Sequence, residues 1–591
     1  MVVSTSPTRT EAAAAPSTGP ARAVARNGAE AILQLLTTCG VEYAFWNPGT
    51  DTAPLQEALV SLSQAGERVP TLVSCTFENV ALAAAHGYFL VTRRPQLVVV
   101  HVDVGTQNLG GNVHNAQRGQ AGAVIIAGRA PYTFEGTTPG GRDRVIQWQQ
   151  DEPDQIGIVR GYVKWAQELS RVDMLHHVIP RAVQMAASEP SGPVYMTAAR
   201  EVLMEPLDGI ELGPAGRTHA AITPAGDPAA LERLAQWLME AEAPLAIAGT
   251  LGRHPNAVAP LVELAELLGL PVVDARGPLN MPTEHPLYRA SAGKALAAAD
   301  VVLLLDVDVP WIPRLASPSA GARIAQLDID PLKSTIQVWG FPVDLPIQAD
   351  TSKALPELLA AIKRLATPAG RERWAQRRAG LTEERAANDR QRAAELERLG
   401  QRQPIAAEWI GAALTERLPA GAIVVDEMVT SSDATRRHLR RDEPGTLLSS
   451  GAPGLGWGLG GAIGARLAAP DRTVVALVGD GSFVFGSPVA ALWAAHQARA
   501  PLLTIVYNNA GYNASKNPVL GLFPDGASAR ADSFPGVRFT DPPDYATLAK
   551  SCHAYGERVD DPAALGGAIE RGLAAVNNGQ SAVLDVVLSP I

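Results

Sequence analysis

Short apolar runs, each followed by a longer stretch of helical composition, recur from near the start of this 591-residue chain to its end. Early runs stand at 43–45, 97–102 and 123–127, between helical stretches such as 29–38 and 79–91. A second group stands at 244–248, 271–274, 301–306 and 324–328, and a third at 422–426, 473–478, 501–507 and 582–587. Strands that alternate with helices and carry apolar residues on both faces imply parallel sheets covered on either side. The chain is too long for one hydrophobic core. The expected fold class is α/β, with three consecutive doubly wound parallel-sheet domains over 27–204, 228–366 and 404–591. A Pro/Gly-rich linker is expected at 205–227, and an Arg- and Glu-rich helical connector at 367–403. Residues 1–26 are rich in Ala, Ser, Thr and Pro and lack the apolar core of a secretory signal, so a disordered tail is expected there.

Composition excludes several function classes. With 46% hydrophobic and 19% charged residues, the chain reads as a soluble globular protein. No apolar run approaches the roughly 20 residues a membrane helix needs. A net charge of −10 argues against a nucleic-acid partner. Cys39, Cys75 and Cys552 form no CxxC pair, so neither a zinc site nor a disulfide framework is expected. A reducing cytoplasm is the expected compartment.

The most specific signal lies in the third block. One β-run ends in Gly479-Asp480-Gly481-Ser482. The next ends in Asn508-Asn509-Ala510-Gly511-Tyr512, with 26 residues between the Gly-Asp-Gly triplet and the Asn pair. Successive strands of a parallel sheet open on the same edge, where ligands bind. Asp480 offers an anionic oxygen, Asn509 a neutral carbonyl oxygen, and Gly511 a backbone carbonyl. That donor set suits Mg2+, with diphosphate oxygens completing the shell. A Gly-Asp-Gly turn alone is commonplace; joined to an Asn pair at this spacing it reads as a site.

This constellation resembles the diphosphate-binding signature of thiamine-diphosphate enzymes, the superfamily of pyruvate decarboxylase, acetolactate synthase and benzoylformate decarboxylase. The family's domain order is pyrimidine-binding, middle, diphosphate-binding, and the resemblance covers nearly the whole chain after the tail. It implies thiamine diphosphate and Mg2+ as cofactors. Gly479, Gly481, Ser482, Asn509 and Tyr512 would line the cofactor, and Asp480, Asn509 and Gly511 the metal. The turn bearing Thr430 and Ser431 resembles the family's hydroxyl-rich diphosphate contact, which a helix N-cap would also explain. The segment from Gly454 to Gly464 resembles the one that bends the cofactor into a V, with Leu455 as the wedge and the Pro453 carbonyl receiving the aminopyrimidine's amine.

In the first block, Glu78 opens an apolar helix, and the segment through Gly87-Tyr88 resembles the one that carries the family's activating carboxylate. His86 stands where the family usually has an acid. The Asn47-Pro48-Gly49-Thr50 loop is similar to the Asn-Pro-Gly-Ser loop of benzoylformate decarboxylase, so Thr50 would face substrate. His101 falls 23 residues after Glu78, where that enzyme has a catalytic histidine. His114, His438 and His496 have no such support. Two features depart from benzoylformate decarboxylase: two more residues separate the Gly-Asp-Gly and Asn-Asn elements, and the loop over 515–542 is longer and could cover the site.

The resemblance implies a 2-oxo-acid decarboxylase or carboligase. A C2 ylide would attack the 2-oxo carbon, carbon dioxide would leave, and His101 would protonate the enamine. An aromatic or bulky acid is expected by analogy alone. The alternatives are a C–C lyase acting on a related carbonyl without loss of carbon dioxide, an acetolactate-synthase-like acyl transfer, and a non-catalytic subunit of the same fold. The middle block lacks the acetolactate synthase stretches, which weakens the case for a flavin. The family also implies self-association to a homodimer or homotetramer, with the pyrimidine domain of one subunit meeting the diphosphate domain of another.

Overall fold

The computed structural model describes residues 21–23, 25–212, 219–275 and 277–591. Three six-stranded sheets follow one another, and every pairing within them is parallel. The first runs, in spatial order, Thr71–Ser74, Tyr43–Trp46, Gln96–Val100, Ala123–Arg129, Pro193–Ala199, Trp165–Leu169. The third runs Leu447–Leu448, Ile423–Glu427, Val474–Gly479, Leu503–Asn508, Ala582–Val587, Tyr555–Val559. Numbered by sequence within each domain, both have the order 2-1-3-4-6-5. The middle sheet, with Pro244–Ala248 and Val301–Leu305 at its centre, has the order 3-2-1-4-5-6. Central strands such as Gln96–Val100 and Val301–Leu305 are buried at every position, which is why they read as unbroken apolar runs rather than alternating ones.

The outer domains share a core. A single apolar cluster contains Phe45, Val98 and Ile125 of the first sheet and Val425, Ala476 and Val506 of the third. Two helices, Glu78–Thr92 and Gly458–Ala468, form the seam. Their Ala- and Gly-rich sequences let backbone meet backbone. A Cβ on Gly464 would overlap the Ala84 carbonyl, and one on Gly87 the Gly461 carbonyl. The helix Glu78–Thr92 is buried continuously from Glu78 to Phe89, so it lacks the one-sided pattern of a surface helix. The two outer domains thus meet within one chain through this helix pair.

Two expectations are corrected. Residues 1–20 and 24 of the expected tail lie outside the described residues. The strand Ala21–Ala23, however, pairs antiparallel with Ile210–Leu212, and Ala25 is buried. The end of the tail and the start of the linker are therefore ordered by each other. The linker's residues 213–218 lie outside the described residues. The loop expected over 515–542 contains the helices Asn513–Leu522 and Ala527–Ala531, which bury none of their residues and leave Leu522 and Phe523 exposed. The connector is one helix, Pro368–Leu399, docked on the middle domain through buried Trp374 and through Arg377, which donates to the carbonyls of Ala241 and Gly269. No helix among the described residues is long and apolar enough to cross a membrane.

Candidate active site

In the third domain, the strands Val474–Gly479 and Leu503–Asn508 lie side by side, with Gly479 opposite Tyr507. Parallel pairing brings Asp480 and Asn509 to one edge. Asp480 is buried; its Oδ1 accepts the Gly481 N–H at 2.8 Å and its Oδ2 the Gly511 N–H at 3.0 Å. Burial pushes its carboxyl up to about 6, against the pull of these backbone donors. Asn509 Oδ1 is buried and has no hydrogen-bond partner among the described residues. An orphaned acceptor beside a buried carboxylate is what a hard cation would satisfy. Around Gly479 there is open space, with only the Met428 carbonyl and the Ser482 hydroxyl near 4 Å from where a Cβ would stand. Tyr512 lies against Gly481 and edge-on to Phe539.

Thr430 and Ser431 occupy the 3-10 turn Val429–Ser431 after the first strand of this sheet, and neither hydroxyl is used within the described protein. Pro453 is exposed and Leu455 part-buried. Two features that sequence reasoning did not single out hold this turn. Glu427, at the end of the strand Ile423–Glu427, accepts the backbone N–H groups of Gly456, Trp457 and Gly458 at 2.6, 3.1 and 2.7 Å. Loss of hydration raises its carboxyl to about 7 despite those three donors. Gly456 has φ +87, open to glycine and strained for other residues. From the first domain, Asn115 receives the Gly454 N–H at 3.0 Å and donates to the Gly454 carbonyl at 2.9 Å. Asn112 donates to the Gly456 carbonyl at 3.4 Å and to the Asn79 carbonyl at 3.0 Å.

In the first domain, Glu78 is buried in the first turn of its helix, where the helix dipole favours its negative charge. Its oxygens accept Nδ2 hydrogens of Asn47 at 2.9 Å and Asn108 at 3.1 Å. Gly105, on the helix Val102–Gln107 that begins after His101, packs against the same carboxylate. His101 and Thr50 line a common recess with Asp51, Arg129 and Gln150. The His101 Nδ1 contacts Asp51 Oδ1, and this partner raises the imidazole's pKa above its ordinary value. Glu78, His101 and Thr50 thus come from adjacent strand ends of one sheet. His86 is wholly buried, its ring 5.2 Å from that of Trp457, and neither ring nitrogen has a hydrogen-bond partner among the described residues. Burial holds it neutral, down to about 3. A neutral aromatic thus stands in the seam where the family usually has an acid. Trp311 packs edge-on to Phe341 in the middle domain's core.

Three doubly wound domains, with the outer pair closed on an edge of hard oxygen donors, define a cofactor-dependent α/β enzyme. The chain belongs to the thiamine pyrophosphate enzyme family: its N-terminal TPP binding domain matches residues 26–158, its central domain 231–358 and its C-terminal TPP binding domain 428–586. It is a thiamine-diphosphate-dependent enzyme of the carboxy-lyase and carboligase type. Benzoylformate decarboxylase of Pseudomonas aeruginosa is 27% identical over 81% of this chain and 85% of its own. The acetolactate synthase large subunit of Mycobacterium tuberculosis is 29% identical over 88% of this chain and 89% of its own. The solved structure of a thiamine diphosphate-dependent 4-hydroxybenzoylformate decarboxylase from Rhodococcus jostii superposes with a TM-score of 0.76 at 23% identity, covering 96% of this chain and 99% of that one. The last likeness is one of fold. Overall identity does not rank decarboxylase above synthase; the residues at the site must.

Proposed function

We propose that this enzyme decarboxylates a 2-oxo acid and either releases the product as an aldehyde or joins it to a second carbonyl compound. The observation that carries this reading is the His101 imidazole, beside Thr50 and on the same strand edge as Glu78. Asp480, the Asn509 side chain and the Gly511 carbonyl would hold Mg2+, a role that suits the orphaned Asn509 Oδ1. Gly479, Gly481, Ser482, Thr430 and Ser431 would meet the diphosphate. Tyr512, Pro453 and Leu455 would support the bent cofactor.

Thiamine diphosphate, when bound, supplies an electron sink next to the 2-oxo carbon. Glu78 keeps unused lone pairs beside those taken by Asn47 and Asn108, and these would accept an N–H of the aminopyrimidine ring once a ring nitrogen is protonated. The Thr50 hydroxyl would hydrogen-bond the substrate carboxylate. His101 would deliver a proton from its ring to the carbon left behind by carbon dioxide. The family resemblance extends the reading to a homodimer or homotetramer, and the free cysteines Cys39, Cys75 and Cys552 fit a reducing cytoplasm.

The test is carbon dioxide release from a panel of 2-oxo acids, including pyruvate and benzoylformate, with thiamine diphosphate and Mg2+ present. Release from one class of acid, and a 2-hydroxy ketone on adding an aldehyde, is expected. No release from any acid, with the cofactor demonstrably bound, would replace this reading with C–C cleavage of hydroxy ketones or diketones.

A further inference from the structure

We propose that Asp51 is a positioning residue for His101: its buried carboxylate fixes the imidazole with hydrogen on Nδ1 and leaves Nε2 as the nitrogen that exchanges a proton at the recess. The inference rests on the decarboxylase reading of His101.

Asp51 follows the Asn-Pro-Gly-Thr loop and is 3% exposed. A buried carboxylate without a partner is costly, so its contacts define its role. Oδ1 faces His101 Nδ1, and Oδ2 accepts the Val102 backbone N–H at 3.3 Å. No other side chain bonds to it among the described residues. Because a carboxylate only accepts, the hydrogen of the contact belongs to Nδ1.

The surroundings are shaped for this pair. A Cβ on Gly49 would overlap the His101 ring at Nδ1, and a Cβ on Gly128 would overlap Asp51 Oδ2. These glycines come from different parts of the sheet, one after Tyr43–Trp46 and one within Ala123–Arg129. Each leaves the space that the pair fills.

The backbone next to His101 is strained in a way Asp51 helps to hold. Val102 has φ +30, a region that β-branched residues rarely enter. Asp51 Oδ2 receives its N–H. The Thr106 hydroxyl donates to its carbonyl at 2.6 Å, and Tyr195 contacts that hydroxyl at 2.7 Å. The backbone next to the imidazole is thereby held on both sides of Val102, at the peptide before it and the peptide after it.

The ring remains reachable, its side chain 17% exposed. The charged groups that face it are Asp51, Asp103 on its own helix, and Arg129 across the recess, the last paired with Glu168. Gln150 lies across the same recess. Asp51 is the leading cause of the raised His101 pKa, followed by burial, which opposes it. The bond therefore keeps the proton donor charged to higher pH than a free imidazole. Its stabilising effect is full below the ordinary histidine pKa and fades as pH rises through the raised one.

The experiment is an NMR titration of the holoenzyme with thiamine diphosphate and Mg2+ bound, its histidines labelled with 13C and 15N, and His101 assigned by loss of its signal in His101→Gln. The expected result is a neutral form with hydrogen on Nδ1, and a titration midpoint that falls by about one pH unit or more in Asp51→Asn. Where a 2-oxo acid is turned over, the alkaline limb of kcat/KM moves down with it. A neutral His101 with hydrogen on Nε2, or a midpoint unmoved in Asp51→Asn, overturns the proposal. If Asp51→Asn does not fold, the tautomer in the unaltered enzyme decides alone. If no 2-oxo acid is decarboxylated, the functional reading falls while the tautomer still judges the role of Asp51.

Discussion

In the first domain the third strand in sequence, Gln96–Val100, ends in His101; in the third domain its counterpart, Val474–Gly479, ends in Asp480. The helices after each domain's second strand, Glu78–Thr92 and Gly458–Ala468, are also counterparts, and they pack on each other. One begins with a carboxylate held by two asparagine amides; the other follows a glycine turn held by Glu427. Under the proposed function, the same sheet order would carry proton chemistry on one side and an anchorage of hard oxygens on the other. What separates the two edges is a handful of residues at strand ends, not the architecture. The carboxylates show it: Asp480 and Glu427 are bound by backbone N–H groups and their pKa values are raised by burial, whereas Glu78 is bound by side-chain amides.

If the division is right, substitutions on the two edges should fail differently. Glu78→Gln should cost about 10²–10⁴-fold or more in turnover while thiamine diphosphate still binds and its C2 proton no longer exchanges. Exchange at the normal rate, followed by NMR in D2O, would remove Glu78 from its role. Asp480→Ala should do the reverse and abolish binding, weakening Mg2+ and thiamine diphosphate by more than the roughly 100-fold typical of losing an outer-shell partner. Calorimetry reads it directly. In the unaltered protein, cofactor affinity should fall as pH drops through about 6, because the Asp480 carboxyl then takes a proton that competes with the cation. Affinity that stays flat from pH 7 to pH 5 would contradict this.

The seam gives a smaller effect. Gly464→Val places methyl groups where the Ala84 carbonyl sits, and should destabilise the fold by about 1–3 kcal/mol or more in urea titrations. Asn115→Ala removes both hydrogen bonds to the Gly454 peptide, and should weaken thiamine diphosphate binding by about tenfold, or roughly 1–1.5 kcal/mol. Unchanged affinity would mean the turn holds its shape without the first domain.

Much of this was legible in the chain itself. Unbroken apolar strands announce parallel sheets, and the Gly-Asp-Gly to Asn-Asn spacing follows from adjacent strands opening on one edge. The grip of Asn112 and Asn115 on a turn more than three hundred residues away was not legible, since asparagines on a short helix look like solvated surface. Nor was the contact between Asp51 and His101, which fits between two glycines brought together by the sheet. The strand Ala21–Ala23 was hidden because its partner, Ile210–Leu212, lies inside a stretch dense in Pro and Gly. In each case the missing information is a contact between distant parts of the chain.

The shared core also bears on how the protein is made. Gly87 emerges from a ribosome well before Gly461, with about 370 residues between them; at about 5–20 residues per second the interval is roughly 20–75 s. Throughout it, the small-residue face of the helix Glu78–Thr92 has nothing to cover it. The newborn first domain is thus an incomplete body with a sticky flank, and its yield in the cell should depend on chaperones and synthesis rate more than that of the middle domain, whose two apolar clusters draw only on its own residues and the connector helix that follows it.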